Sequence, residues 1–259
     1  MARTAETLFE DWNQAVARVL DNGPAQQDFH DLVATILAFD VLMVFEYSPG
    51  KARAVWHNVT GNRRKVIIDD YLLGPFLLDP FYTRAMSSPD PGLMVMRQLS
   101  PDQFHKSEFF RKHYHLTEIA DEIGIAFEVN PGSVTVASIT RPKRQMRFTP
   151  RERKRFENAA PLLAALGRKL WQRNSPTVGT SGTRQIEHAL KGFCGDVLSR
   201  REVEIVSLIL KGHSSVSTGE VLGITPGTVK IHRKNIYAKL GISSQAELFN
   251  RFIRYISKT

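Results

Sequence analysis

The chain is predicted to be α+β: an antiparallel sheet flanked by helices over about the first two thirds, followed by an all-α unit of four short helices. Three observations predict this. Apolar residues recur at helical spacing in residues 4–20 and 25–38; the pattern then changes to strand-like alternation in paired segments around turn residues. Between Leu198 and Leu248 four more helical blocks are separated by glycine or by Ser and Thr residues able to cap a helix.

In order, Leu8, Trp12, Ala15, Val16 and Val19 form one face of the first helix, and Phe29, Leu32, Val33 and Ile36 one face of the second. Residues 41–47 and 52–59 flank Ser48-Pro49-Gly50 and predict a hairpin. Residues 62–73 read as helical up to Gly74-Pro75, with an apolar and aromatic patch through Tyr82. A short strand is expected at 93–97, and a helix capped by Ser100 through about His113. Residues 123–129 and 134–140 make a second hairpin around Asn130-Pro131-Gly132-Ser133. Thr149, Pro150 and Glu152 spell a cap, a first helical position and a capping box; Phe156, Ala159, Leu163, Leu166 and Leu170 follow as one stripe, with a break or kink expected near Pro161. That stripe suits a core, and the small residues Ala159, Ala160 and Gly167 also suit packing on a second copy. The polar run NSPTVGTSGT from Asn174 reads as a linker. The expected domains are therefore 1–173, a linker at 174–193, and 194–259.

Composition narrows the function. The chain has 259 residues, 42% of them hydrophobic and 24% charged, as expected of a globular two-domain protein. No apolar run approaches the length of a membrane span, and acids near the N-terminus argue against a signal peptide, so a cytoplasmic protein with no membrane partner is expected. Cys194, the single cysteine, allows no internal disulfide and no cysteine-based zinc site, and reads as incidental. The net charge is +9. Residues 174–259 hold 12 Lys/Arg against 6 Asp/Glu, and the first 173 hold 23 against 20. A basic excess concentrated in the helical unit is the footprint of a domain that neutralises phosphates.

Within that unit Ser199 and Glu202 spell a capping box, Val203, Val206 and Leu210 share a face, and Gly212 stops the helix. A block from Ser215 to Leu222 ends at Gly223. The next has Thr225 as N-cap and Pro226 at the first position; Val229, Ile236 and Leu240 are spaced for packing, while Lys230, His232, Arg233, Lys234 and Lys239 make the rest basic. Two short helices joined at a glycine, the second basic, describe a helix-turn-helix; a small bundle with a solvated lysine face is the plainer alternative. The stretch resembles the C-terminal domain of LuxR-type (NarL/FixJ-type) bacterial transcription regulators, through Leu198-Ser199-Arg200-Arg201-Glu202, Val206, Leu208, Gly212, Leu222, Ile224-Thr225, Thr228-Val229-Lys230-x-His232, Ile236, Lys239-Leu240 and Ala246-Glu247-Leu248. The resemblance implies that Lys230, Ile231 and Lys234 face the major groove, that Thr228, His232 and Lys239 contact the backbone, and that Val229, Ile236 and Leu240 pack inward. One departure is Ser214 to Gly219, where the family has Ser-Asn-Lys-Glu-Ile-Ala; its phosphate-touching lysine is Val216 here.

The first domain, a sheet of about five mostly antiparallel strands with flanking helices, resembles sensors of the GAF or PAS kind in an α/β/α arrangement. No P-loop, dinucleotide fingerprint or nucleophile elbow is present, so no enzyme and no cofactor are expected. His113-x-His115 near Asp121 and Glu122 reads as partly buried side chains, and no metal site is expected. A phosphorylated receiver domain would open with a strand and an acidic pair; this chain opens with two helices. A ligand sensor is left, with Trp56, Tyr71, Phe76, Asp79 and Tyr82 as candidate ligand-binding residues. Tyr71 followed by Asp79-Pro80 resembles the autoinducer-binding segment of quorum-sensing LuxR regulators, although the tryptophans of that segment are Ile67 and Met94 here and the spacing is one residue short. Those departures point away from an acyl-homoserine lactone, and Glu46, Asp79, Glu118, Asp121 and Glu122 suggest an amine or amide, if they are not plain surface acids. In the alternative role, Asp79 only caps a helix.

The eight Lys/Arg between Arg141 and Arg155 read either as an accessory DNA contact or as a basic solvated loop. The expected protein is a solo LuxR-like regulator. Its partners are double-stranded DNA, a small-molecule effector, a second copy of the chain, since one recognition helix reads only a few base pairs, and RNA polymerase. The alternative is a constitutive DNA-binding regulator whose first domain only dimerises or binds a protein.

Overall fold

A computed structural model describes residues 4–88, 92–115, 117–172, 189–190 and 192–256. Its main elements are α1 (Ala5–Asn22), α2 (Gln26–Ile36), β1 (Val41–Ser48), β2 (Lys51–His57), α3 (Pro80–Ser87), β3 (Leu93–Val95), β4 (Ile119–Phe127), β5 (Val134–Pro142), α4 (Pro150–Trp171), α5 (Arg200–Lys211), α6 (Ser215–Leu222), α7 (Pro226–Leu240) and α8 (Gln245–Ile256). They fall into two compact units interleaved along the chain. A sheet unit draws on Met1–Val59, Ser88–Arg97 and Ile119–Thr180, and a helical unit on Thr60–Ser87, Gln98–Glu118 and Ser181–Thr259. Most of the expected linker lies outside the described residues.

In the sheet unit the five strands are antiparallel in the order β2-β1-β5-β4-β3. Alternating apolar residues place Leu42, Val44, Ile123, Ile125, Ala137 and Ile139 in one core with the inward faces of α2 and α4. Phe29 of α2 lies 4.9 Å from the Trp171 ring and 6.3 Å from that of Phe127. The turn residues expected between β4 and β5 do more than reverse the chain. Asn130 Nδ2 and Ser133 Oγ donate to Glu46 Oε1 at 2.8 and 2.9 Å, while Arg53 Nε and NH2 donate to Oε2 at 3.0 and 2.6 Å. The buried carboxylate of Glu46 is thereby neutralised.

Helix α4 starts with the expected capping box: Glu152 N–H donates to Thr149 Oγ1 and Thr149 N–H to Glu152 Oε2. It runs through Pro161 as one helix, with that proline on its exposed side. Gly167 serves packing within the chain. A Cβ there would come within 2.6 Å of Phe127 Cε2 and 3.2 Å of the Trp171 ring, so only glycine lets the helix sit this close to β4.

In the helical unit, one of the two stretches expected to be helical forms and the other is interrupted. Residues 63–72 are helical throughout, with a wide turn at Lys65–Asp69 followed by Asp70–Leu72, and the run ends before Gly74 with φ of 139°. The helix expected to start at Ser100 is instead a short turn at Phe104–Lys106 and, after Ser107, a helical run through Glu108–Phe110 and Arg111–His115. The cause is Ser107. Its hydroxyl donates to Phe104 O at 2.6 Å and accepts from Phe110 N–H at 3.1 Å, so the chain stops and restarts there. The restart gathers Phe104, Phe109, Phe110 and Tyr114 into one aromatic cluster, with ring separations of 5.2 to 6.1 Å.

The four helices after residue 199 form as the spacing predicts. Ser199 and Glu202 close the capping box of α5 and Gly212 ends it in the left-handed region with φ of 94°. The inward face is rotated from the expected one: Glu202, Ile205, Val206, Ile209 and Leu210 are buried, and Val203 only half-buried. Ser214 caps α6, accepting from Val216 N–H and Ser217 N–H at 3.1 Å. Gly219 meets the following turn so closely that a Cβ would lie 2.6 Å from Ile224 O. Among the described residues, no helix is long and apolar enough to cross a membrane.

Candidate nucleic-acid interface and effector cluster

Helix α7 has the polarity of a recognition helix. Thr225 Oγ1 accepts from Thr228 N–H at 3.1 Å, and Pro226 occupies the first turn. Val229 and Ile236 are fully buried and hold the helix to the unit. On the other side Lys230, Ile231 and Lys234 are exposed together, Ile231 to 63%. An apolar side chain held out in solvent between two lysines suits a surface that meets both phosphate and a base methyl. The residues expected to touch the backbone differ among themselves. His232 is half-buried, Thr228 shares a 2.9 Å hydrogen bond with Thr225, and Lys239 is engaged by Glu202 at 2.8 Å. Burial works to raise the Glu202 carboxyl, but Lys239 and Ser199 outweigh it and hold it below its ordinary value. Lys239 thus braces α7 against α5.

Beside it, the N-terminal turn of α6 carries a contact that the sequence did not suggest. Asp102 Oδ1 accepts from the Ser214 N–H at 3.0 Å, and Gln103 N–H donates to Gly212 O at 3.1 Å. Spacing cannot reveal a pair 112 residues apart.

The helical unit also brings together four of the five candidate ligand-binding residues. Tyr71 Oη donates to Asp79 Oδ2 at 2.7 Å, Phe81 N–H donates to Asp79 Oδ1 at 2.7 Å, and the Phe76 ring lies 6.3 Å from Tyr71 and 5.2 Å from Tyr82. All four are buried. Asp79 therefore caps α3 with one oxygen, as in the alternative role anticipated for it, and meets Tyr71 with the other. Burial raises its carboxyl to about 6 despite those hydrogen bonds. His113 joins this group, 6.0 Å from the Tyr71 ring and 4.9 Å from Phe109. Burial lowers its imidazole to about 4, which keeps it neutral, and its Nδ1 has no hydrogen-bond partner among the described residues. A histidine within an aromatic run was the signal available for it.

Trp56 belongs to the sheet unit, where its ring lies 5.7 Å from His30 against the core. Other acids considered for a cationic ligand are used structurally: Glu46 by Arg53, Asn130 and Ser133, and Asp121 as acceptor for Phe148 N–H at 2.9 Å. The basic run is divided. Arg141 is buried, donates to Ala38 O and Glu152, and lies 4.1 Å over the Phe148 ring, whereas Lys143, Arg144, Arg147, Arg151 and Lys154 are exposed. Cys194 is packed inside, and burial pushes its thiol up to about 11, leaving it unreactive. Among the described residues, no three His, Cys, Asp or Glu side chains gather as metal ligands would.

Comparisons agree with this anatomy. Residues 196–252 match the family model described as bacterial regulatory proteins, luxR family. An "HTH-type transcriptional regulator in exeN 3'region" of Aeromonas salmonicida is 31% identical over 186 residues, covering 69% of this chain and 94% of that protein. The transcriptional regulatory protein MctR of Rhizobium johnstonii is 47% identical over 60 residues, 23% of this chain and 26% of that one. Among solved structures, the VqsR LBD domain from Pseudomonas aeruginosa shares its fold at a TM-score of 0.52 and 18% identity, covering 61% of this chain and 94% of that one. With a helix-turn-helix whose basic face is exposed, and a relative similar along nearly its whole length, the chain belongs to the luxR family of bacterial regulatory proteins and is a DNA-binding transcriptional regulator, not an enzyme.

Proposed function

We propose that a small-molecule effector controls DNA binding by this regulator, which acts as a homodimer on an operator of two half-sites. In this reading residues 1–173 sense and dimerise, 174–193 link, and 194–259 bind DNA. Lys230, Ile231 and Lys234 meet the major groove, and Thr228 and His232 the backbone; Lys239 reaches phosphate only by giving up Glu202. The effector would be recognised by Tyr71, Phe76, Asp79 and Tyr82.

The observation that carries this reading is the buried Tyr71–Asp79 pair set among aromatic rings. A buried carboxyl raised to about 6 costs the fold stability, and such groups concentrate at functional sites. The neutral His113 adds a second acceptor to the group. Two acceptors favour an effector with N–H or O–H donors, an amine or amide. Thermal-shift screening of the full chain against amines, amides and lactones tests this, because a fragment ending at residue 173 would divide the helical unit. A stabilising compound from a donor-bearing class, ineffective on Asp79→Asn, is expected; no stabilisation by any class would count against an effector.

A second reading, a constitutive regulator whose first part only dimerises or binds a protein, is favoured by an open groove of about 940 Å3 on the sheet unit. Phe9 and Met146, 66% and 84% exposed, line it beside Arg147 and Arg151. DNA affinity indifferent to every bound compound would select this reading.

A further inference from the structure

Residues 101–112 grip the helix-turn-helix at two places. At the first, Asp102 Oδ1 accepts from the Ser214 N–H and Gln103 N–H donates to Gly212 O, while the Phe104 backbone lies so near Gly212 that a Cβ there would be 2.9 Å from Phe104 Cα. At the second, Lys112 Nζ donates to Asn250 Oδ1 at 2.6 Å and sits 5.0 Å over the Phe249 ring of α8. The turn entering the scaffold helix α6 and the final helix α8 are thus both held by one segment.

The first of these contacts falls at a sensitive point. In a helix-turn-helix the helix before the recognition helix crosses the DNA backbone, and the amino end of a helix, with its unpaired N–H groups and positive dipole end, is where a phosphate is best received. Ser214 is the N-cap of α6, and the group on its N–H is a carboxylate. Burial works against the Asp102 charge, but the Ser214 hydrogen bonds and the nearby His213 outweigh it, so the carboxyl stays below its ordinary value and is ionised at neutral pH. Val216, on the same turn, supplies no cation to offset it.

We propose that residues 101–112 form an autoinhibitory latch, in which the Asp102 carboxylate takes the place of a DNA phosphate at the N-terminal turn of the scaffold helix and must leave for DNA to seat fully. The latch leaves Lys230, Ile231 and Lys234 exposed, so it opposes the backbone contact and not base reading. Its effect is therefore the same on any sequence. It rests on DNA binding by the helix-turn-helix and not on the effector reading, and its test uses no effector.

The test is the affinity of the full chain for a labelled mixed-sequence duplex, measured by fluorescence anisotropy over a salt series, with circular dichroism melts to verify folding. Asp102→Asn is expected to tighten binding severalfold and to steepen the salt dependence by about one unit, the signature of one more phosphate contact. Losing a negative charge would strengthen DNA binding anywhere on the surface, so two further variants separate the explanations. Lys112→Met removes a cation, which general electrostatics says weakens binding and which the latch says tightens it. Asn250→Ala breaks the same contact from the other side with no change of charge and is also expected to tighten. Tightening in Asp102→Asn together with either folded partner variant supports the latch. Unchanged affinity in Asp102→Asn, or weakening in Lys112→Met with no gain in Asn250→Ala, overturns it.

Discussion

The hydroxyl of Tyr71 donates to Asp79 Oδ2 at 2.7 Å, in a place where both side chains are 6% exposed. One phenol and the backbone N–H groups of Phe81 and Tyr82 do not replace the hydration that the carboxylate loses, so its protonated form is favoured in the fold up to about pH 6.

This has a measurable consequence for stability. An acid whose pKa is raised on folding, here from 3.8 to about 6, leaves the native state most stable below the unfolded value and costs stability as pH rises to the folded value. The loss between pH 4 and 6 should reach at most about 3 kcal/mol. Asp79→Asn should abolish that part of the pH dependence and raise Tm at pH 7. Denaturation curves of both proteins across this range provide the check, and parallel curves would contradict it.

Glu152 has the opposite sign. Burial alone would raise it, but hydrogen bonds from Arg141 and Thr149 hold it down to about 2. Its contribution is fully present above about pH 4.5 and is lost as pH falls toward 2. Glu152→Gln should flatten this acid limb and, by loosening the cap of α4, cost about 0.5–2 kcal/mol at neutral pH. Acid titrations followed by tryptophan fluorescence would show it.

Two lysines on the recognition helix should behave differently. Lys234 is exposed, so Lys234→Ala should leave Tm unchanged while weakening binding to a defined operator by about 1 kcal/mol. Lys239 is tied to the buried Glu202, so Lys239→Ala should lower Tm as well, by about 1–3 kcal/mol of stability, because it leaves a buried carboxylate without its cation. Equal melting temperatures for the two variants would refute the distinction.

Gly167→Ala tests the helix–sheet contact. In an open helix the change is worth about 1 kcal/mol of gain in propensity. Here the new methyl would meet the buried Phe127 ring at 2.6 Å, so a net loss of about 1–2 kcal/mol is expected, read from chemical denaturation.

Much of this protein was written in local sequence. The hairpin turns, the caps at Thr149, Ser199 and Thr225, the glycine stops at Gly212 and Gly223, and the buried positions Val229 and Ile236 all depend on residues within a few positions of one another. Short-range chemistry of that kind determines where elements begin, end and face, and the basic face of α7 followed from it. Tertiary structure decided what those elements meet. Ser107 broke a stretch that periodicity reads as one helix, because satisfying Phe104 and Phe110 together gathers four aromatic rings. Arg141 left a run of solvated cations because Glu152 and Phe148 could receive it inside, and Lys239 is tied to a carboxylate 37 positions earlier. The pairing of Asp102 with Ser214 was the least legible, since closing so long a loop leaves no trace in spacing or period and depends on the packing of the two segments alone.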